Sequence, residues 1–345
     1  MPIESQETKG DSHFQEGLSC LKTGLFKWKA DHQGAAMSFE RAATCYKVAK
    51  KFTKAIDAFK KSATSHAATG IHYTAGQHLE SAASLALKET NQSDAADLYH
   101  SASLQYAMSG NLDSQMKALA KAADCFMQTK KFDDMISNYD EAFDMAFGEE
   151  LTKRLVLDAV VIPYLSALVE LENFSKAATV MDKLKQLHGD INQPENVCKD
   201  IYSAILLYLA AGDYESAEKY FNLNCSSSGF LQSHDGQAAQ DILDAYENLD
   251  EETIRNLAKN DMGIGYLLPP ISRVGRLLPV VPLIDMNIPQ KLVETIVLDR
   301  KEFEESVDVA EEQSIETVEE IESYVPPEVP EQVPDVPEDE EEGVL

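Results

Sequence analysis

Residues 39–59 read FERAATCYKVAKKFTKAIDAF, residues 79–99 read LESAASLALKETNQSDAADLY, and residues 119–139 read LAKAADCFMQTKKFDDMISNY. Each stretch begins forty residues after the one before it and opens with the same apolar spacing of i, i+3, i+4 and i+7. That spacing marks one face of an α-helix. Because a polar turn divides each stretch, every forty-residue unit is predicted to be a helix, a turn and a second helix.

The same pattern continues further along the chain. After a two-residue shift it returns at residues 174–181 and again, forty residues later, at residues 214–221. Gly70 and Gly110 lie between units, where a helix-ending glycine is expected. Forty residues exceed the 34 of an ordinary tetratricopeptide repeat, so the helices are predicted to be longer. We expect an all-α, tetratricopeptide-like solenoid of helix hairpins over residues 1–221, with an irregular helical bundle as the alternative.

The repeat fades after residue 221, and the rest of the chain divides by composition. Residues 222–266 open with a Ser- and Gly-rich loop and continue into helix-like stretches, which predict a C-terminal capping helical bundle. Residues 267–300 are apolar and interrupted by proline. Residues 301–345 carry 18 acidic residues against one lysine, which predicts a disordered acidic tail.

Charge is unevenly distributed along the chain. The formal net charge is −29, yet residues 1–131 hold 16 Lys and Arg against 13 Asp and Glu. An acidic tail repels phosphate, so nucleic acid is not expected as a partner. The mildly basic front half is instead suited to an acidic protein surface.

The sequence contains no pattern of catalytic or cofactor-binding residues. It has no GxxxxGK[ST] or GxSxG motif, and its carboxylates lie in charge-rich, solvated stretches. His66, His72 and His78 are six residues apart, a spacing that turns successive side chains of one helix to different faces. We therefore expect no metal, no cofactor and no enzyme activity. The five cysteines form no CxxC pair and are predicted to be reduced thiols of a cytoplasmic protein.

Two surface features call for a function. Residues 25–29, LFKWK, hold the single Trp of the chain in a predicted loop, where the rings either enter a membrane interface or plug the first helix pair. Lysines also recur at equivalent repeat positions, at Lys50 and Lys130 and at Lys51 and Lys131. They form either a solvated face or a basic surface for an acidic helical partner.

Residues 21–59, LKTGLFKWKADHQGAAMSFERAATCYKVAKKFTKAIDAF, closely resemble the N-terminal part of the gamma-type soluble NSF attachment proteins. The similarity continues through residues 212–218 and 229–230 to about residue 266. It implies tetratricopeptide-like helix hairpins capped by a helical bundle. It also implies an adaptor of vesicle traffic and membrane fusion, which lies along the assembled SNARE four-helix bundle and recruits the hexameric ATPase NSF. NSF then separates the SNAREs with ATP, while the adaptor does no chemistry.

The resemblance also implies roles for residues of this chain. The membrane-contacting loop corresponds to Leu25, Phe26, Lys27, Trp28 and Lys29. The candidates for the SNARE-facing surface are Lys47, Lys50, Lys51, Lys54, Lys117, Lys121, Lys130 and Lys131. The candidates for the NSF contact are Asp244, Glu247, Asp250, Glu251, Glu252 and, after the final acidic run, Leu345. These roles imply a cytoplasmic protein bound peripherally to membranes. The alternative is a helical-repeat scaffold of another trafficking or cytoskeletal complex.

Overall fold

The structure is a computed structural model that describes residues 3–24, 28–145, 157–227 and 229–287. In this part of the chain the regular elements are helices and no β-strand is present, which confirms the all-α fold class. One compact unit ends at Asn287. The predicted acidic tail, residues 301–345, and residues 288–300 of the apolar segment before it lie outside the described residues.

The helices form two groups. The first comprises α1 (Ile3–Leu21), α2 (His32–Val48), α3 (Phe52–Ala68), α4 (His72–Lys88), α5 (Gln92–Met108), α6 (Leu112–Gln128) and α7 (Phe132–Asp144). The second begins with a π-helical turn at Leu157–Val161 and comprises α8 (Ile162–Glu170), α9 (Phe174–Asp190), α10 (Pro194–Ala210), α11 (Tyr214–Asn224), α12 (His234–Glu247), α13 (Glu251–Asn260) and α14 (Pro269–Gly275). Short 3-10 turns lie at Phe230–Gln232, Gly263–Tyr266 and Leu283–Asp285. Each helix of the first group packs on the next one along the chain.

Helix length is nearly constant through the repeats. Helices α2 to α6, α9 and α10 each have 17 residues, and three turn residues separate each of α2 to α6 from the helix that follows. One helix and its turn therefore take twenty residues, and two such steps make the forty-residue period seen in the sequence.

The turns that end these helices share one backbone conformation. Residues 50, 70, 90, 110 and 130 have φ between 57° and 77°. In the first of them Lys51 N donates to Tyr46 O at 2.9 Å, and Lys50 N donates to Lys47 O at 3.1 Å. This is the Schellman arrangement, which satisfies carbonyl groups that a helix end leaves unpaired. It confirms the predicted helix-ending role of Gly70 and Gly110.

Paired alanines form the contacts between successive helices. The pairs at residues 42–43, 82–83 and 122–123 are completely buried. Small side chains allow neighbouring helix axes to approach closely. Buried rings such as Phe39 and Tyr106 fill the space beside them.

Helix α10 lies at the centre of the second group. It packs against α9, α11, α12 and α14, and most of its side chains are buried. Helix α14 also packs on α8, so the proline-interrupted segment contributes to the core before residue 287. Among the residues described, no helix is both long and apolar enough to cross a membrane.

Candidate partner-binding surface

The eight predicted SNARE-facing lysines all have exposed side chains and lie at two places in the repeat. One group is at the end of α2 and the start of α3, and the other is on α6 and the turn before α7. Lys51 and Lys131 occupy the same position, immediately before the first residue of a helix. The structure further divides the eight lysines by whether they already have an acidic partner.

Lys54 belongs to a cluster that joins three successive helices. Its Nζ donates to Glu7 Oε1 at 2.9 Å and to Asp11 Oδ1 at 3.0 Å, both on α1. Tyr46 on α2 also donates its hydroxyl to Asp11 Oδ1, at 2.8 Å. The hydrogen bond from Tyr46, together with Lys54, lowers the pKa of Asp11. Lys51 lies 3.3 Å from Glu7 and extends the same cluster.

The same arrangement occurs on α4, α5 and α6. Lys121 Nζ donates to Glu80 Oε1 at 2.8 Å, and Tyr106 donates its hydroxyl to Glu80 Oε2 at 2.6 Å. The Lys121 ammonium also lies 5.5 Å from the centre of the Tyr99 ring, a cation–π contact. We call this arrangement, a carboxylate that accepts from a tyrosine on the next helix and a lysine on the one after it, an acid–tyrosine–lysine cluster.

A third acid–tyrosine–lysine cluster joins α7, α8 and α9. Asp140 accepts from Tyr164 at 3.1 Å and from Lys176 at 2.8 Å. Lys176 was not among the predicted site residues. Lys176 has no acidic residue three or four positions away on its own helix, so the sequence gives no indication that it pairs with a carboxylate.

The remaining lysines differ in what holds them. Lys117 bonds Asp113 on its own helix at 2.8 Å. Lys131 lies 5.6 Å from the centre of the Phe126 ring. Of the eight predicted lysines, Lys47, Lys50 and Lys130 make neither an ion pair nor a cation–π contact with any residue that the structure describes. An external partner can therefore form ion pairs with these three lysines without displacing a carboxylate of this chain.

The predicted membrane-contacting loop is only partly described. Leu25, Phe26 and Lys27 lie outside the described residues, whereas Trp28 and Lys29 lie just before α2. The side chain of Trp28 is 86% exposed, so it does not plug the first helix pair as one of the two sequence interpretations proposed.

The predicted acidic candidates, Leu345 apart, lie together at the turn between α12 and α13. Asp250 is the N-cap of α13 and accepts from the backbone N of Thr253 at 3.0 Å and from its hydroxyl at 2.6 Å. These bonds lower the pKa of Asp250 and commit it to the helix end. Glu251 pairs with Arg255 one turn later. Asp244, Glu247 and Glu252 complete the group; Asp244 and Glu252 are exposed and Glu247 is half-buried. Leu345 lies outside the described residues.

The histidine argument from the sequence rests on a wrong assumption. His66 lies near the end of α3, whereas His72 and His78 lie on α4, so the three do not share a helix. Antiparallel packing of α3 on α4 brings His66 and His78 together, with ring centres 5.1 Å apart, while His72 bonds Gln105 instead.

Stacked helix hairpins of constant length, with lysines and carboxylates displayed on separate helices, define a helical-repeat scaffold of the tetratricopeptide-like class. A family model described as soluble NSF attachment protein matches residues 8–260. This chain belongs to the soluble NSF attachment protein family.

Two curated relatives are similar over most of their length. A gamma-soluble NSF attachment protein of Arabidopsis thaliana is 32% identical over 280 residues, which cover 80% of this chain and 94% of the relative. A gamma-soluble NSF attachment protein of Dictyostelium discoideum is 22% identical over 296 residues, which cover 83% and 89%. The match confirms the resemblance drawn from the LKTG, KWK and repeat residues.

Proposed function

We propose that this chain is a non-enzymatic adaptor that binds assembled SNARE four-helix bundles and recruits NSF, which then disassembles them with ATP. Family membership over residues 8–260 carries the proposal, because the family and both relatives are named for attachment to NSF. The fold supports it, since helical solenoids offer extended surfaces on which partners assemble. The role belongs to vesicle traffic, at the cytoplasmic face of membranes.

Lys47, Lys50 and Lys130 are the strongest candidates for the SNARE-facing surface. Each is exposed and makes no ion pair with any residue that the structure describes. An acidic SNARE helix therefore gains their attraction without breaking an internal pair. Lys51, Lys54, Lys117, Lys121 and Lys131 are weaker candidates, because a carboxylate or an aromatic ring of this chain already holds them.

The acidic turn between α12 and α13 is the proposed contact with NSF. Among its members Glu252 is exposed and its carboxylate has no ion pair or hydrogen bond within the described residues, whereas the exposed Asp244 already accepts from Gln240 Nε2 at 2.6 Å. Glu252 is therefore the carboxylate most available to a basic partner. Asp250 and Glu251 are already engaged with Thr253 and Arg255. The role of Leu345 stays a prediction.

Trp28 supports the proposed membrane contact. An exposed indole followed by a lysine is suited to a bilayer interface, where the ring enters the headgroup region and the ammonium meets anionic lipid. Flotation with anionic liposomes tests this contact. Weaker flotation of Trp28→Ser than of the parent chain supports it, and equal flotation counts against it.

The proposed function is tested by retention of purified NSF on an immobilised, preassembled SNARE complex, with and without this protein. We expect NSF to be retained only when the protein is present and released when ATP is hydrolysed. Glu252→Lys is expected to leave SNARE binding intact and to reduce NSF retention. Glu89→Lys is the matched control, since Glu89 is also exposed but lies at the C-cap of α4.

The outcomes separate the alternatives. SNARE binding without NSF retention would leave a SNARE-binding protein that is not an NSF adaptor. No binding to any of several SNARE complexes would favour the second candidate, a helical-repeat scaffold of another trafficking or cytoskeletal complex.

A further inference from the structure

Three successive helices bring a carboxylate and two imidazoles to one point. Glu40 on α2, His66 on α3 and His78 on α4 each offer one ligand atom, and the three atoms lie within 4.8 Å of one another. Glu40 Oε1 is 3.8 Å from His78 Nε2. The residues are 26 and 12 positions apart in the sequence, so only the packing of α2, α3 and α4 assembles them.

The tautomer of His78 follows from its hydrogen bond to Ser62. The Ser62 hydroxyl donates to the Ala36 carbonyl at 2.8 Å, so its oxygen is left to accept from His78 Nδ1 at 2.9 Å. His78 Nδ1 therefore carries the proton. In the neutral ring with its proton on Nδ1, the Nε2 atom carries a lone pair and lies on the side of the ring that faces Glu40.

A lone pair and a carboxylate repel each other unless something positive lies between them. A histidine that binds metal through one nitrogen and donates its other N–H to a fixed acceptor is the usual arrangement in protein metal sites. Ser62 supplies that acceptor here, and it is itself fixed by a backbone carbonyl. The His78 side of the cluster thus already has the outer hydrogen bonds of a metal ligand.

His66 has no such partner. Both its ring nitrogens are shielded from solvent, and neither has a hydrogen-bond partner among the described residues. Buried polar groups in proteins are nearly always satisfied, and an exception points to a bound ion or water.

We propose that Glu40, His66 and His78 bind a divalent transition metal of the zinc class, which ties α2, α3 and α4 together. Two imidazoles and one carboxylate suit zinc and exclude calcium and magnesium, which prefer oxygen ligands. Ligand atoms in a tetrahedral zinc site are about 3.3 Å apart, given bond lengths of about 2.0–2.1 Å. Side-chain rotations close the remaining distance. Glu40 is exposed, so the metal reaches the site from the solvent side.

The test is titration of the metal-free full-length chain with Co²⁺, which reports its coordination through visible absorption. We expect one four-coordinate Co²⁺ per chain, without the sulfur-to-cobalt absorption that binding at the five cysteines would produce. Zn²⁺ is expected to displace the Co²⁺ and to raise the melting temperature of the parent chain.

Single substitutions measure how much each residue of the cluster contributes to Co²⁺ binding. Glu40→Gln and His66→Leu are expected to weaken Co²⁺ binding by about 100-fold or more, because loss of an outer hydrogen-bond partner alone costs 10–100-fold. Ser62→Ala removes only an outer hydrogen-bond partner and is expected to weaken Co²⁺ binding by about 10–100-fold. His72→Leu is the matched control, since His72 lies on α4 outside the cluster. Glu40 is exposed, so Glu40→Gln keeps the test informative even if His66→Leu fails to fold.

Three results would overturn the proposal. They are the absence of Co²⁺ binding to the parent chain, a spectrum with cysteine-to-cobalt absorption, and equal affinity in the parent chain and Glu40→Gln. None of them bears on the SNARE and NSF assignment, because the metal site does not depend on that function.

Discussion

At the scale of single residues, some surface lysines of this protein are structural. Lys54, Lys121 and Lys176 each bind a carboxylate two helices earlier in the chain, and a tyrosine from the intervening helix binds the same carboxylate. Each cluster thereby links three successive helices through side chains rather than through the apolar core. A lysine held in this way stabilises the fold of the chain, independently of any contact with a partner.

Lys121→Ala should destabilise the chain by about 1 kcal/mol, since it removes an exposed ion pair and a cation–π contact. Lys130→Ala, which removes an exposed lysine with no ion pair in the described residues, should change stability by less than about 0.5 kcal/mol. Urea unfolding of the two variants and the parent chain measures both effects. Equal midpoints for Lys121→Ala and Lys130→Ala would show that the cluster contributes nothing measurable.

A second residue-scale feature is the buried pair of His188 and Asp200. Asp200 is 4% exposed, and its Oδ2 accepts from His188 Nδ1 at 2.5 Å. Burial raises the pKa of Asp200 to about 6, with partial opposition from the hydrogen bond to His188. A raised pKa means that the folded chain holds this proton more tightly than the unfolded chain does. The resulting stability is present below about pH 4 and is lost as the pH rises through about 6.

Asp200→Asn should therefore stabilise the chain at pH 7.5, by about 1–3 kcal/mol, because a shift of one pKa unit corresponds to 1.36 kcal/mol. The amide keeps an acceptor for His188 and removes the buried charge. The advantage should disappear near pH 4, where the carboxyl group of the parent chain is protonated. Urea unfolding at both pH values gives the comparison, with the exposed Asp241→Asn as the control. A variant less stable than the parent chain at pH 7.5 would mean that the charged pair with His188 outweighs the burial of the carboxylate.

At the scale of elements, the unit of construction is one 17-residue helix with a three-residue turn. The residue after each helix cap has positive φ whether it is glycine, as at Gly70 and Gly110, or not, as at Thr90. The turn geometry is thus set by the Schellman hydrogen bonds and the packing of the next helix. Glycine makes that geometry easier but is not required for it.

Two glycines allow the backbone effect to be isolated. A Cβ atom would meet nothing within 4 Å at either Gly110 or Gly189. Gly110 has φ of 71°, whereas Gly189 lies within α9. Gly110→Ala should destabilise by about 1 kcal/mol, the cost of a side chain in the left-handed region. Gly189→Ala should stabilise by about 0.5–1 kcal/mol, the helix preference of alanine over glycine. Opposite shifts in melting temperature are the expected result, and shifts of the same sign would contradict it.

At the scale of the whole molecule, acidic and basic residues are concentrated in different parts of the chain, where different contacts are proposed. The net charge is −29, and 18 acidic residues fall within residues 301–345, yet α2, α3 and α6 display exposed lysines. Complementary charge mainly steers partners and fixes their orientation. The proposed SNARE contact should therefore be more sensitive to salt than the fold itself.

The triple change of Lys47, Lys50 and Lys130 to Glu should weaken binding to a SNARE bundle, and more at low salt than at high salt. Exposed charges are screened beyond about 10 Å at 0.1 M ionic strength and about 3 Å at 1 M. A triple change of Lys88, Lys219 and Lys259 to Glu alters the net charge equally at exposed lysines elsewhere on the chain. Binding measured at two salt concentrations decides the point. Equal losses in both triple variants would show that net charge, not this surface, governs the interaction.

The sequence by itself determined the helical class, the forty-residue period and the family. These are properties of local spacing: an apolar stripe at i, i+3, i+4 and i+7 indicates one face of a helix, and glycine favours a helix end. Motifs such as LKTG and KWK are also contiguous. Sequence spacing therefore predicted the turns at Gly70 and Gly110, which the structure confirms.

Only the tertiary structure decided which side chains meet. Lys121 and Glu80 are 41 residues apart, and the approach of Glu40, His66 and His78 depends on how α2, α3 and α4 pack. The sequence interpretation treated the histidines as members of one helix, which the structure contradicts, and it could not show which lysines pair with a carboxylate two helices earlier. The physical reason is that helix length, turn geometry and alanine-mediated packing together determine which side chain a residue contacts two helices away. No local pattern of residues encodes that sum.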